Sequence, residues 1–242
     1  GGGGGGGGQI LKSIPKNPGA APLGYLFQQQ SLKITGYSVR RSRFPSILFG
    51  SATVFLVFLL GMELGLRKSW LGAAVFAIFP LTIRYATESR IYSQGLFFST
   101  LATLIYVRLA KKPTWVQFLI YTLSLVLAIY SQPLAVLVGI SHVIWSITNR
   151  EYKIAIRGFV ALMSAGVAFL PWYLWSKHQW HTGIITSGIY FVASLKTPLN
   201  IFRELTGAGY WSSSIILLLW LVARRNYDPR ILRLLILLII VP

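Results

Sequence analysis

The sequence predicts an all-α fold, a polytopic bundle of membrane-spanning helices. Hydrophobic residues make up 54% of the 242-residue chain and charged residues only 12%, which is too apolar for a water-covered surface. The charge is basic, with 23 Lys and Arg against 5 Asp and Glu. These cations alternate with apolar stretches, as in membrane-protein loops. Nucleic-acid binders instead gather them on one polar face, so we expect no nucleic-acid partner.

Apolar runs of near-spanning length predict seven complete spans and one truncated span. The complete spans are Phe44 to Met62, Trp70 to Ile83, Ile91 to Leu109, Trp115 to Tyr130, Pro133 to Ile147, Ile154 to Trp175 and Tyr210 to Val222. The eighth run begins at Ile231 and stops at Pro242, so we interpret it as truncated. Several runs fall short of the roughly 20 residues that a spanning helix needs, and Trp, Tyr and Arg at their ends extend them into the interface.

Three segments flank or interrupt these spans. Residues 1–8 are all glycine, and we treat them as a tag or placeholder outside the fold. Residues 9–43 form an outer-face juxtamembrane segment, in which prolines between Asn17 and Phe27 break structure before an amphipathic stretch that reaches Lys33. This stretch predicts a helix lying on the membrane surface. Residues 44–242 form the transmembrane domain, with a long outer loop at 176–208 that is expected to pack at an interface.

Loop charges predict the orientation. The loops on one side, which include Arg108, Lys111 and Lys112, carry more than twice as many cations as the loops on the other. By the positive-inside rule the cation-rich side is cytoplasmic. The segment before Phe44 adds cations to the poorer side, which a preceding span missing from the chain would explain.

Residue types exclude several chemistries. The single aspartate, Asp228, leaves no Asp-x-Asp pair for a metal-bound nucleotide sugar, and a Walker-type Gly-Lys-Ser/Thr motif is absent. Without cysteine there is neither a thiolate ligand nor a cysteine nucleophile. We expect the chemistry on the outer face, where the segment 9–43, the Arg84-to-Tyr92 loop and the long loop 176–208 lie.

The segment from Arg84 to Tyr92 places charges between two apolar runs. In a helix, Arg84, Glu88 and Tyr92 share one face, whereas in an extended strand Glu88, Arg90 and Tyr92 do. The spacing fits a structural Arg84–Glu88 ion pair that closes a turn, and it also fits a binding site at the membrane edge. The residues alone leave both interpretations open.

The order of motifs resembles the integral-membrane glycosyltransferases of the C superfamily. Pro22-Leu23-Gly24-Tyr25, Gly36-Tyr37-Ser38 and Arg43-Phe44-Pro45-Ser46 lead into the first span, and Glu88-Ser89-Arg90-Ile91-Tyr92 follows two spans later. The pattern is most similar to the bacterial branch related to protein O-mannosyltransferases and lipid A aminoarabinose transferases, often described as RgtA/B/C/D-like. The resemblance covers Asn17 to Trp175.

The resemblance implies an inverting transferase that passes a sugar from a polyprenyl-phosphate carrier to a glycan, lipid or protein acceptor. It implies a periplasmic or luminal active site, expected in a bacterial inner or plasma membrane. Arg90, with Arg84 as runner-up, would bind the carrier phosphate by paired hydrogen bonds. Glu88 would orient the arginine or contact the sugar, and Tyr92 would bond to either partner. The lipid-linked sugar is a substrate, and we expect no metal.

The chain departs from the family pattern at two places. The family's principal catalytic acid stands just after its first span, but no Asp or Glu precedes Glu63 here. We expect that acid in a missing N-terminus. In Tyr130-Ser131-Gln132-Pro133 the glutamine stands where the family often has histidine, so we expect only a tight turn there.

Other polar residues carry lesser expectations. Arg203 pairs with Glu204 or helps to bind the carrier, and His178, with His181 beside Trp180, contacts substrate or solvent rather than zinc. We expect His142 to bond to a neighbouring helix. Glu63 and Glu151 are expected in solvated ion pairs.

Two other function classes stay open. A transporter or lipid flippase needs ionisable residues or broken helices near the midplane, and the spans are poor in both apart from His142. A noncatalytic membrane subunit would fit a chain that lacks the acid altogether.

Overall fold

A computed structural model describes residues 22–35, 43–79, 82–83, 92–187 and 228–240 of the chain. Within these residues the regular structure is entirely helical, without a β-strand. The α-helices are α1 (Pro22–Thr35), α2 (Phe44–Glu63), α3 (Ser69–Ile78), α4 (Tyr92–Lys111), α5 (Trp115–Ser131), α6 (Val136–Thr148), α7 (Tyr152–Ser187) and α8 (Pro229–Ile240). A 3-10 turn, Pro133–Ala135, precedes α6.

The all-α membrane bundle is confirmed, and most predicted spans coincide with a helix. The predicted span Trp70 to Ile83 is not one continuous helix, because α3 ends at Ile78 and the Phe79 backbone is extended. Two helical stretches, Phe44–Glu63 and Tyr152–Ser176, are long and apolar enough to cross a membrane. Shorter apolar helices occupy Ser69–Ile78, Trp115–Ser131 and Pro133–Thr148. The predicted span Tyr210 to Val222 lies outside the described residues, so the number of spans stays a prediction.

Helix α4 forms the centre of the bundle. Ala102, Leu104, Tyr106 and Leu109 are fully or almost fully buried, because α4 packs between α2 and α5 and also touches α6 and α7. Burial on nearly every face explains why this helix is apolar almost all round through its middle.

Contacts between helix ends show how the chain alternates. The end of α5 meets the start of α4 at Gly95, while the end of α2 meets the end of α4 through Glu63 and Arg108. We name the two ends of the bundle after these groups: the Tyr92 end, where α2 and α4 begin and α5 finishes, and the Glu63 end opposite. Helices α5, α7 and α8 begin at the Glu63 end, since Arg230 contacts Glu151 there.

The turn at the Glu63 end between α2 and α3 depends on two glycines. Gly65 has a φ of 71°, in the left-handed region that glycine adopts without strain. A Cβ on Gly61 would lie 2.7 Å from Ser69 Cβ, so only a glycine lets α2 and α3 approach so closely.

The structure describes helices in two segments that were predicted as a loop and as a surface helix. Helix α7 continues to Ser187, so the predicted outer loop 176–208 starts with a helical stretch. A helix is present in the segment predicted to be amphipathic, but α1 already begins at Pro22, where the prediction had a break in structure, and it packs against α2 and α5. The Phe27 and Phe49 rings lie 5.2 Å apart, edge to face, which joins α1 to the bundle.

Candidate functional site

Four helices converge at the Tyr92 end. An aromatic cluster joins three of them, since Phe49 of α2 lies 5.3 and 5.7 Å from Phe97 and Phe98 of α4 and also contacts Phe27 of α1. Helix α5 joins at Gly95, where an added Cβ would lie 3.2 Å from Gln132 Cβ. The sequence supports this approach because Gly95 removes the side chain that would separate α4 from α5.

Polar side chains are buried at this convergence. They share low exposure, between 0% and 7%, and come from α1, α2, α4 and α5: Gln29, Ser46, Ser93, Gln94 and Ser131. The Ser131 hydroxyl donates to the Leu127 carbonyl within its own helix, at 2.8 Å. Neutral polar side chains from four helices are therefore buried at this convergence, although apolar side chains would fill the same space without needing hydrogen-bond partners.

Gln94 is the exceptional member of this group. It is 2% exposed, and its Oε1 atom accepts no hydrogen bond in the described part of the protein. A buried acceptor without a partner costs about 1–3 kcal/mol. Gln94 lies one helical turn before Phe97 and Phe98, so it shares their face toward α1 and α2. A ligand or an ordered water can supply the missing donor.

Trp172 adds a second unpaired group in the same half of the bundle. Its indole Nε1 is buried without an acceptor among the described residues. It lies one turn beyond Ala168, whose carbonyl accepts from Tyr130 Oη at 2.7 Å. Among the residues that the structure describes, the Tyr92 end therefore holds both an unpaired acceptor and an unpaired donor.

The structure describes one of the six predicted site residues fully. Tyr92 begins α4 and is half-buried. His178 falls on α7, in the part beyond Ser176, but its side chain lies outside the described residues. Arg84, Glu88, Arg90 and Arg203 lie outside them too. Their grouping into one site stays a prediction. Ile83 and Tyr92 are the described residues that flank Arg84, Glu88 and Arg90.

His142 belongs to a buried network rather than to an open site. Its Nδ1 lies 3.1 Å from Tyr121 Oη and its Nε2 lies 3.1 Å from Thr103 Oγ1. Thr103 uses its own proton on the Ser99 carbonyl at 2.9 Å, so it accepts from Nε2–H and leaves Nδ1 to accept from Tyr121. The expected bond to neighbouring helices is confirmed on both α4 and α5.

Tyr106 closes this network against α6 and α7. Its ring stacks on His142 at 4.7 Å, and its hydroxyl lies 2.6 Å from Ser146 Oγ. Gly158 gives it room, because a Cβ there would come within 2.9 Å of the Tyr106 oxygen. With every member bonded and fully buried, this network fixes helix positions rather than offering a free group to a substrate.

Charged pairs lie at the Glu63 end, as predicted. Glu63 Oε1 accepts from Arg108 Nε at 2.8 Å, and Lys111 Nζ approaches both Glu63 Oε2, at 3.1 Å, and the Glu63 carbonyl. Glu151 Oε1 accepts from Arg230 at 3.3 Å. The expected ion pairs of Glu63 and Glu151 are confirmed.

The turn after α5 also matches expectation. Gln132 is extended, with φ −152° and ψ 114°, and it separates α5 from the 3-10 turn that starts at Pro133. No group of three or more His, Cys, Asp or Glu side chains that could hold a metal occurs among the described residues.

Comparison with protein families supplies the identity of the chain. Residues 16–175 match the dolichyl-phosphate-mannose-protein mannosyltransferase family. The chain belongs to this family. The match covers α1 through most of α7, and thus all the elements that build the Tyr92 end. No curated protein and no solved structure matches the chain.

Family membership gives the general chemistry. It supports an integral-membrane glycosyltransferase of the C superfamily that uses lipid-linked sugar donors. The family in general works without a metal.

Sequence reasoning did not single out Gln94. In the sequence it is one glutamine in an apolar run, two residues beyond the Glu-x-Arg-x-Tyr motif. The only signal was its position: an amide in the first turn of a span, directly after a charged segment, is costly unless it has a partner. That Gln94 Oε1 is buried without a partner becomes evident only from the packing of α1, α2 and α5 around α4.

Proposed function

We propose that the protein transfers a sugar from a polyprenyl-phosphate carrier to a glycan, lipid or protein acceptor at the Tyr92 end, facing the periplasm or lumen. The observation that carries this proposal is the buried, unpaired Oε1 of Gln94 beside the Arg84-to-Tyr92 segment, in a chain of a glycosyltransferase family. An unpaired acceptor at the edge of a helix bundle suits a ligand with many hydroxyl groups.

The proposed reaction is a displacement at the anomeric carbon. The acceptor oxygen forms a bond to that carbon as the bond to the carrier phosphate breaks, and the acceptor proton passes to a base. The departing carrier phosphate gains negative charge, so a guanidinium that holds two of its oxygens stabilises the transition state more than the ground state. Arg90 takes this role, with Arg84 as the alternative.

The remaining residues have supporting roles. Glu88 orients the arginine or contacts the sugar, and Tyr92 accepts a hydrogen bond from the arginine or forms one with the sugar. Gln94 accepts from a sugar hydroxyl, which would satisfy its buried oxygen. Arg203 and His178 contribute to carrier or acceptor binding. The family resemblance implies an acid as this base, and the given sequence has no Asp or Glu before Glu63.

The test replaces Arg90 by Ala and by Lys in the full-length protein. Membranes that supply native acceptors are given polyprenyl-phosphate mannose, and release of free polyprenyl phosphate is measured. We expect Arg90→Ala to lower the rate by about 10²–10³-fold, the usual effect of removing one transition-state donor. Arg90→Lys should recover part of this loss because it keeps the charge but not the paired hydrogen bonds.

Arg67→Ala is the matched control. Arg67 is exposed in the α2–α3 turn at the Glu63 end, and its variant should keep the unmodified rate. Full activity of Arg90→Ala and Glu88→Ala alike would remove both proposed roles. Absence of any carrier release by the unmodified full-length protein with a panel of lipid-linked sugars would favour a noncatalytic subunit.

A further inference from the structure

A cleft at the Glu63 end lies between α5 and α7, away from the proposed reaction. These two helices begin side by side there, and the cleft is lined by Pro113, Thr114, Trp115, Phe118, Ile156, Arg157 and Val160. Its volume is about 370 Å³. One water occupies about 30 Å³ in the liquid, so the cleft has room for a group the size of a phosphate with a short polyol.

Arg157 is the one cation lining this cleft, and it has no ion-pair partner in the described part of the chain. The three carboxylates described there bond elsewhere: Glu63 to Arg108 and Lys111, Glu151 to Arg230, and Asp228 to the Arg230 amide. The nearest other cation along α7, Lys153, lies one turn earlier and is also exposed. Within the described ranges the rim is therefore positive and uncompensated, which fits an anionic ligand.

Aromatic rings form the opposite wall. Trp115 stacks on Phe118 at 5.2 Å, and Trp115 remains 71% exposed. Tryptophan at the start of an apolar helix is typical of the headgroup level of a bilayer. This wall places the cleft at the membrane–water boundary.

An apolar strip leads from the cleft toward the middle of the bundle. Phe159, Val160, Met163 and Val167 are each between 46% and 68% exposed along one side of α7. The hydroxyl of Ser164 in this strip bonds to the Val160 carbonyl at 2.9 Å, so it presents no free polar group. From Arg157 to Val167 the helix rises roughly 15 Å, about half of a hydrocarbon core of roughly 30 Å.

We propose that this cleft binds an anionic phospholipid, with its phosphate on Arg157 and an acyl chain along the α7 strip. The order of features matches such a lipid: a cation at the headgroup level, an aromatic wall at the boundary, and an apolar path one leaflet long. An arginine holds a phosphate by two parallel hydrogen bonds. Neutral phospholipids offer the same chains without the net charge that complements the rim.

The experiment is native mass spectrometry of the purified full-length protein in detergent. Phosphatidylglycerol and phosphatidylcholine with identical acyl chains are titrated separately. We expect one tightly bound phosphatidylglycerol and a clearly weaker phosphatidylcholine. Arg157→Gln should weaken phosphatidylglycerol binding by about tenfold, as expected for a charge-assisted phosphate contact, while Arg157→Lys should weaken it less.

Arg67→Gln is the matched control, since it removes a guanidinium at the same end but outside the cleft, and it should change the affinity by less than about twofold. A phosphatidylglycerol with a photoreactive group on its acyl chain should crosslink within residues 159–167.

Three results would overturn the proposal. Equal binding of the two lipids, unaffected by Arg157→Gln, would mean ordinary annular lipid. Displacement by inorganic phosphate as effective as by the lipid would mean a free-anion site. Crosslinks elsewhere on the bundle would mean that another part of the chain covers the α7 strip.

Discussion

The polar side chains at the two ends of the helix bundle differ in charge, burial and pairing. At the Glu63 end the described carboxylates of Glu63 and Glu151 are partly exposed and paired with cations, Glu63 with Arg108 and Lys111 and Glu151 with Arg230. At the Tyr92 end a group of neutral polar side chains is buried beneath exposed cations such as Arg43, and Gln94 Oε1 has no partner among the described residues. Paired charges at the surface change the free energy of folding little, whereas a buried polar group without a partner lowers stability.

Burial of the residues that carry unpaired atoms separates the two ends and points to the Tyr92 end as the candidate site. Unpaired atoms occur at both ends, since Gln117 Oε1 and Glu151 Oε2 also lack partners among the described residues. Those two side chains are half-buried as a whole, although their unpaired oxygens are themselves buried. Gln94 is almost completely enclosed, and its cost is removed only by a specific partner. Enclosure, rather than a missing bond alone, distinguishes the two ends.

The largest expected effect concerns which end faces outward. The chain has no cysteine, so Lys33→Cys on α1 and Arg67→Cys at the Glu63 end each introduce a single thiol at an exposed position. If the Tyr92 end faces the periplasm or lumen, a membrane-impermeant maleimide applied from that side labels residue 33 alone. Permeabilised membranes, in which both thiols should react, provide the control. Labelling of residue 67 alone from outside would reverse the orientation and exclude the proposed reaction side.

The next effect compares the same chemical change at the two ends. Gln94→Leu removes the enclosed acceptor and keeps the side-chain size. We expect carrier release from polyprenyl-phosphate mannose to fall by about tenfold or more, since a site built around a hydrogen bond loses discrimination and rate without it. The unfolding midpoint should stay unchanged or rise, because an unpaired buried group disappears.

Gln117→Leu supplies the matched control for that experiment. It removes an amide from the first turn of α5 at the Glu63 end, and we expect unchanged transfer. A merely structural role for Gln94 would instead give a lower unfolding midpoint with unchanged kcat and KM, and equal losses in both variants would contradict the distinction between the ends.

The helices were predictable because the bilayer requirement is strict. Every backbone group in a span must bond within the span, so uninterrupted apolar runs such as Trp115 to Tyr130 had to become helices, and α5 differs by only one residue. The far end of α7 was harder, because residues 176–187 lose the apolar pattern that marks a span and only the structure shows that the helix continues.

The candidate site was less predictable for a physical reason. Motif order singled out the Arg84-to-Tyr92 segment, because the charged and aromatic residue types there suit phosphate and sugar binding, and this role stays a prediction. The role of Gln94 depends on what surrounds it, and that follows from helices distant in the chain. Likewise, the bonds of His142 to Tyr121 and Thr103 required three helices to meet; the sequence indicated only that some partner was needed.

The smallest expected effect lies in the charges at the Glu63 end. Glu63→Gln keeps an oxygen for Arg108 but removes the charge that attracts Arg108 and Lys111, whose side chains are 37% and 56% exposed. Partly exposed pairs of this kind contribute at most about 1 kcal/mol and are screened by salt. The unfolding midpoint in detergent should therefore fall slightly at low salt and converge with that of the unmodified protein at high salt. Glu151→Gln, which affects the longer contact with Arg230 at 3.3 Å, should shift it less. A loss of several kcal/mol that persists at high salt would show that this end, too, depends on an enclosed polar group, and the contrast between the two ends would no longer hold.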